Sequence, residues 1–138
     1  MRMSASDFLE GEIGKHLLRT GSWTKPAAIY VALFTTIPND AGSGGVEVTG
    51  SGYARIQHGP LDTKWAAPVA GNGVFANIGV IQFGAPTTNW GTVTAFGLYD
   101  AVTGGNLLAK GSLATNVTIN SGDPAPAFAD GAVSVTIG

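Results

Sequence analysis

The sequence predicts an all-β fold: an antiparallel β-sandwich or jelly-roll-like barrel of about seven or eight strands with one N-terminal helix. Three observations predict it. Short runs of β-branched and aromatic residues recur at intervals of roughly 10 to 15 residues. Gly, Pro, Asn and Asp cluster between these runs, where turn chemistry belongs. No helical crossover lies between them, which argues against a parallel sheet. At 138 residues the chain is expected to form one domain, 1–138, with the helix over 4–20 and the sandwich over 26–138.

The helix is read from its caps and its stripe. Ser4 or Ser6 can cap it, with Asp7 and Glu10 in the first turn, where the dipole favours negative charge. Leu9, Ile13 and Leu17 fall at i, i+4 and i+8, with Phe8 and Leu18 beside them. Lys15, His16 and Arg19 occupy the last turns, and Gly21 is placed to end the helix. Gly11 and Gly14 each weaken it by about 1 kcal/mol relative to Ala. Such a helix must dock, either on its own sheet or on a neighbouring subunit.

After Pro26, Ala28 to Thr36 reads as a central strand, apolar on both faces, ended by Pro38-Asn39-Asp40. Residues 40–52 contain five glycines and read as a flexible surface loop holding a short Val46-Glu-Val-Thr strand. They lack the Gly-Lys-Ser/Thr ending of a phosphate loop. Tyr53 to His58 alternates, with Tyr53, Arg55 and Gln57 on one face and Ala54 and Ile56 on the other. The long irregular stretch 59–74 carries Trp65, which is either a core plug or an interface anchor. Val74 to Phe83 reads as one further strand.

Trp90 to Leu113 reads as a long hairpin, turning at Asp100 to Asn106. Its first strand has Val93, Ala95 and Tyr99 on one face and Phe96 and Leu98 on the other. A strand apolar on both sides is covered on both sides, by its own domain or by a neighbour. Asn116 to Asn120 follows as a separate strand, then a Ser121-Gly-Asp-Pro turn. Ala132 to Ile137 is the last strand, with Val133, Val135 and Ile137 inward.

Little in the chain points to chemistry. There is no cysteine, and the net charge of −2 shows no clustered basic patch, so no nucleic-acid partner is expected. No window of about 20 apolar residues exists for a transmembrane helix, no secretory signal is visible, and no membrane partner is expected. His16 and His58 are the two histidines, and no Gly-x-Ser-x-Gly elbow accompanies them. Two scattered histidines without cysteine do not make a zinc site. Of Glu47, Asp62, Asp100, Asp123 and Asp130, all but Glu47 sit in or beside turns, where Asp ordinarily bonds backbone. The expectation is therefore no catalytic residue, no cofactor, no metal and no enzyme activity. Trp23 and Trp65 lie in loops and leave a carbohydrate-binding module as an alternative. Only 12% of residues are charged, about half the usual share. Such a surface suits either a neutral monomer or a subunit partly covered in an assembly.

Several motifs, in order, resemble a known family. They are Met3-Ser-Ala-Ser-Asp-Phe-Leu-Glu10, Ala28-Ile-Tyr-Val-Ala-Leu-Phe-Thr-Thr36, Gly52-Tyr-Ala-Arg55 and Trp90-Gly-Thr-Val-Thr-Ala-Phe-Gly-Leu-Tyr-Asp-Ala101. Gly104-Gly-Asn-Leu-Leu108, Ser121-Gly-Asp123 and a C-terminal strand complete the set. Together they resemble small virion proteins of tailed bacteriophages, often labelled tail-fibre proteins and similar to capsid decoration (cement) proteins. The resemblance covers nearly the whole chain and matches least over 60–73. It implies a virion structural protein made in the host bacterial cytoplasm. The first expectation is a cement protein that binds and stabilises the outer head surface. The alternative is a tail-fibre or baseplate component that contacts the host. The implied partners are further copies of the chain, a trimer by analogy, and the major capsid protein or other virion proteins. Contacts are expected at Phe8, Leu9, Ile13, Leu17, Trp23, Val46 and Trp65.

Overall fold

A computed structural model describes residues 1–137. The long hairpin is its axis. Strands β7 (Gly91–Tyr99) and β8 (Leu107–Ile119) pair antiparallel along most of their length. β8 runs on to Ile119, so Asn116 to Ile119 continues the hairpin instead of forming a separate strand. β2 (Tyr30–Thr36) pairs antiparallel with the other side of β7, and β3 (Val46–Glu47) and β4 (Ile56–Gln57) both pair with β2.

On the far side of β8 the sheet is built from the chain ends. β1 (Arg2–Ala5) pairs antiparallel with β8 and parallel with β10 (Ser134–Thr136), and β5 (Val74–Ala76) pairs with β10 at the edge. The order β3-β2-β7-β8-β1-β10-β5, with β4 also on β2, is a mixed eight-stranded sheet that does not close into a barrel. The parallel pair needs no helical crossover, because the rest of the fold connects its two strands.

The helix is shorter than expected. α1 spans Asp7–Leu18, because residues 2–5 are drawn into the sheet, where Met3 and Ala5 are buried. Ser6 is its cap: the hydroxyl accepts from Leu9 N at 3.2 Å and donates to the Leu107 carbonyl, fixing the helix to β8. Arg19 ends it, two residues before Gly21.

The expected strand 74–83 is broken in two. Buried Asn77 donates to the carbonyls of Gly79 and Ala129 and accepts from Val133 N. Its side chain replaces the ladder with local bonds, and Gly79 turns the chain at φ +82°. β6 (Ile81–Gln82) then leaves for a separate two-stranded sheet with β9 (Ala127–Phe128).

One face of the large sheet holds the main core. Val31, Leu33, Phe96, Leu98, Ala109, Met3 and Val135 lie on it, covered by α1, the β6–β9 pair and the loops. Phe128 of β9 packs 5.3 Å from Phe96, ring centre to ring centre. Val93 joins this core, contrary to simple alternation, because the register shifts between Val93 and Ala95. The other face carries a smaller cluster of Ala32, Phe34 and Ala95 with Tyr99. The loop after β2 folds back over this side: a Cβ at Gly42 would touch Leu107, and Asp40 pairs with Lys110 of β8 at 2.9 Å. From Ala95 to Leu98 and from Leu107 to Gly111 the hairpin is thus covered on both faces by its own chain, whereas Ala114 to Thr118 of β8 are exposed.

Residues 40–52 are tied down along their length. Val48 is buried, and its N–H bonds the Leu33 carbonyl. Gly50 abuts the Trp90 ring and Gly52, at φ +90°, abuts the Ala85 carbonyl, leaving no room for a side chain at either.

Candidate functional site

An open groove runs between α1 and the stretch 60–75. Its α1 wall presents Leu9 and Ile13, and Trp23, Pro26 and Ile29 close one end. Leu98 and Leu108 form the floor, and Trp65 and Phe75 form the opposite wall. The volume is about 370 Å³, and the surface it exposes is apolar throughout. Past Trp65 and Phe75 it continues into a cleft of about 500 Å³ that adds Asp62 at its rim, with Lys25 shared by both.

The walls are held by polar contacts, while the groove itself exposes no polar surface. His58 is buried, and its Nε2 lies 3.0 Å from the Lys64 carbonyl. The Trp65 indole N–H donates to the His58 carbonyl at 2.8 Å, and the two rings meet edge to face. Burial holds the His58 imidazole below the ordinary histidine range, and the Lys64 charge pushes the same way against backbone hydrogen bonds. Across the groove, Trp23 N donates to His16 Nδ1 at 3.3 Å, which turns the chain back beneath the helix. Both histidines therefore serve the groove's architecture.

Of the seven residues expected at an interface, four meet here: Leu9, Ile13, Trp23 and Trp65. Leu9 is buried, and Ile13, Trp23 and Trp65 are half-buried and pack against the core. Trp65 therefore combines the two roles left open for it. Phe8 also packs against the core but does not line the groove. Leu17 continues the α1 stripe out of the groove and is 73% exposed. Val46 lies apart, on edge strand β3.

A second constellation went unread in the sequence. Arg55 donates to Glu47 through Nε at 2.9 Å and Nη2 at 2.8 Å. Its Nη1 donates to the carbonyls of Ala101 and Gly104 in the hairpin turn. The guanidinium also sits 3.7 Å above the centre of the Tyr99 ring. Tyr53 donates to Glu47 at 2.6 Å and accepts from Leu33 N. Burial alone would raise the Glu47 carboxyl, but hydrogen bonds from Arg55 and Tyr53 and the Arg55 charge bring it below its ordinary value. Burial, then the bond to Glu47, holds the Tyr53 hydroxyl far above its own. The carboxylate of Glu47, the guanidinium of Arg55 and the hydroxyl of Tyr53 are thus bonded to one another, to β2 and to the hairpin turn, so the cluster braces the fold. The signal for it is Glu47, the one outside a turn among the five candidate carboxylates, eight residues before Arg55.

Among the described residues, no three His, Cys, Asp or Glu side chains gather closely enough to hold a metal ion, and no helix is long and apolar enough to cross a membrane. A family model described as Podophage GP4 fiber I protein gp80 matches residues 4–136, nearly the whole chain. No curated protein matches it.

Proposed function

The chain belongs to the family of the podophage GP4 fiber I protein gp80, and on that premise we propose that it is a non-catalytic building block of a virion fibre, joined to further copies of itself through the groove beside α1. A structural role in a bacteriophage virion follows from the family; the fibre position, the self-association and the contact surface are the proposal. One observation carries it. The groove is open yet lined by apolar surface, and the α1 stripe extends beyond it to Leu17. Water against such a surface is unfavourable by roughly 25 cal/mol per Å², and covering it drives association. Closed symmetric rings of identical subunits are the commonest way to cover one, and a trimer suits a fibre.

Light scattering on purified protein tests the contact. The wild type is expected to form an oligomer, and Leu17→Glu and Ile13→Gln to shift it to monomer with the far-UV spectrum unchanged. A monomeric wild type at virion-like concentrations, or an oligomer indifferent to both changes, overturns it. The fibre position is tested by immunogold labelling of intact virions. A second reading, a capsid decoration protein, is favoured by the strand order: β1 pairs with β10 in the large sheet, and no repetitive shaft lies among the described residues. Label over the head surface decides for decoration and label on fibres decides for the first reading.

A further inference from the structure

We propose that Asn72-Gly73 is a self-modifying site, where the Gly73 backbone nitrogen attacks the Asn72 side-chain amide and converts it to aspartyl and isoaspartyl products. The geometry points to this asparagine above the others. Asn72 is exposed and ends the short 3-10 turn Val69–Gly71, at φ −76° and ψ 0°. Its Oδ1 accepts from Val74 N at 3.0 Å, so the side chain is folded back over the peptide bond whose nitrogen would attack it. That hydrogen bond polarises the Cγ carbonyl and is in place to stabilise the oxyanion formed on addition, as a donor in an oxyanion hole does. Gly73 has no Cβ to block the approach, and it lets the backbone rotate about Asn72 ψ into line.

The balance is simple. The Gly73 nitrogen loses its proton and bonds to Asn72 Cγ. The side-chain nitrogen leaves as ammonia, and a five-membered succinimide closes. Water then opens either carbonyl. One opening yields an aspartate in the ordinary backbone; the other routes the backbone through the side chain as isoaspartate. No oxidant or metal is needed.

None of the other six asparagines precedes a glycine. Asn77 is buried and triply bonded; Asn39, Asn89 and Asn106 have their carbonyl or amide engaged with partners outside the following two residues; Asn116 and Asn120 are exposed but precede Val117 and Ser121, whose side chains hinder approach of the backbone nitrogen. Position 72 also has structural consequences. The Gly73 carbonyl accepts from Ile137 N at 3.0 Å, and Val74 opens β5, paired with Thr136 of β10. Phe75 and Ile137, on either side of this junction, line the groove. An isoaspartyl link lengthens the backbone by one methylene there and removes the acceptor of Val74 N. It loosens β5 from β10 and, with it, one wall of the groove. An ordinary aspartate keeps an acceptor for Val74 N and leaves the edge intact.

The test is peptide mapping by mass spectrometry of folded protein held at pH 8.5 and 37 °C, with enzymatic methylation to count isoaspartate. Conversion is expected at Asn72 ahead of every other asparagine. The converted fraction is expected to show faster amide exchange over 74–76 and 134–136. Asn72→Ser, which keeps a side-chain oxygen for Val74 N, is expected to retain slow exchange after the same incubation. Asn72→Asp is expected to match unaged protein. An Asn72 that stays intact in the folded protein while it converts in urea-unfolded chain overturns the proposal, as does conversion led by another asparagine.

Discussion

Replacing Arg55 by Met tests whether the buried polar brace holds the hairpin turn to the edge of the sheet. The substitution keeps most of the aliphatic stem and removes five things at once: two bonds to Glu47, two to the turn carbonyls of Ala101 and Gly104, and a cation over Tyr99. Removing one partner of a fully buried ion pair costs about 3–5 kcal/mol, because the other charge is left uncompensated. Here the Arg55 side chain is 7% exposed but that of Glu47 is 25% exposed, so water relieves part of the penalty. Tyr53 also stays bonded to Glu47. A loss of roughly 2–3 kcal/mol is therefore expected, which for a domain of this size lowers Tm by about 10 °C. Thermal unfolding by circular dichroism measures it, and a cycle with Glu47→Gln isolates the pair. The low carboxyl of Glu47 adds a pH arm. Its folded value lies below the ordinary range, so its contribution is present above that range and is lost as pH falls through the folded value. Arg55→Met should flatten that acid limb. A cost under about 1 kcal/mol, or no coupling to Glu47, would refute the idea that this cluster bears on stability.

Four further outcomes are expected. His58, held below the ordinary histidine range by burial, disfavours protonation in the fold, so stability should be full above about pH 6.5 and decline as pH drops toward the folded value. Melting between pH 7.5 and 5.5 reads this, and His58→Asn should remove the decline. Asn77→Ala leaves Val133 N without its acceptor and the Gly79 carbonyl without its donor, while the Ala129 carbonyl keeps Ala132 N, and should cost about 3 kcal/mol in a urea titration. Phe96→Ala, at the centre of the core against Phe128, should cost about 3–5 kcal/mol by the same assay. Gly52→Ala combines a φ of +90° with a backbone carbonyl where its Cβ would go, and should lower Tm more than Gly44→Ala, which shares the positive φ but meets no atom.

What was legible in the sequence is what local periodicity encodes. The hairpin announced itself because a β-branched, aromatic run ends in Asp100 and resumes after Asn106, and those two residues do bond each other across the turn. The helix was legible from Ser6 and the Leu9-Ile13 spacing. The losses have one cause, long-range pairing. Residues 2–5 carry no strand pattern of their own; they are extended because β8 and β10 stand ready to pair on either side. β9 is two residues long and exists only as the partner of β6. Asn77 read as a polar residue within a strand, whereas its bonds to Ala129 and Val133 lie more than 50 positions away. The groove was half legible. Leu9, Ile13, Trp23 and Trp65 were each suspect as apolar groups on a weak helix or in a loop. Only the fold brings them to one place and sends Val46 to another.

The way the groove is held bears on how it would be used. Its α1 wall is fixed by Ser6 to the Leu107 carbonyl, and its loop wall by Trp65 to His58 and by Ala66 N to the Ala76 carbonyl. The groove exposes no polar surface, so an occupant need displace none of these bonds. A surface preformed in this way costs little conformational entropy to dock, since its side chains are already ordered. The main core is complete without a partner, with Phe96, Met3, Val31 and Val133 fully buried. Association through the groove should then join folded subunits that also exist singly, unlike an obligate interface in which monomers do not fold. Dilution separates the two cases. Folded monomers of unchanged secondary structure at low concentration fit a preformed groove; unfolding in step with dissociation would mean that a neighbour completes the core.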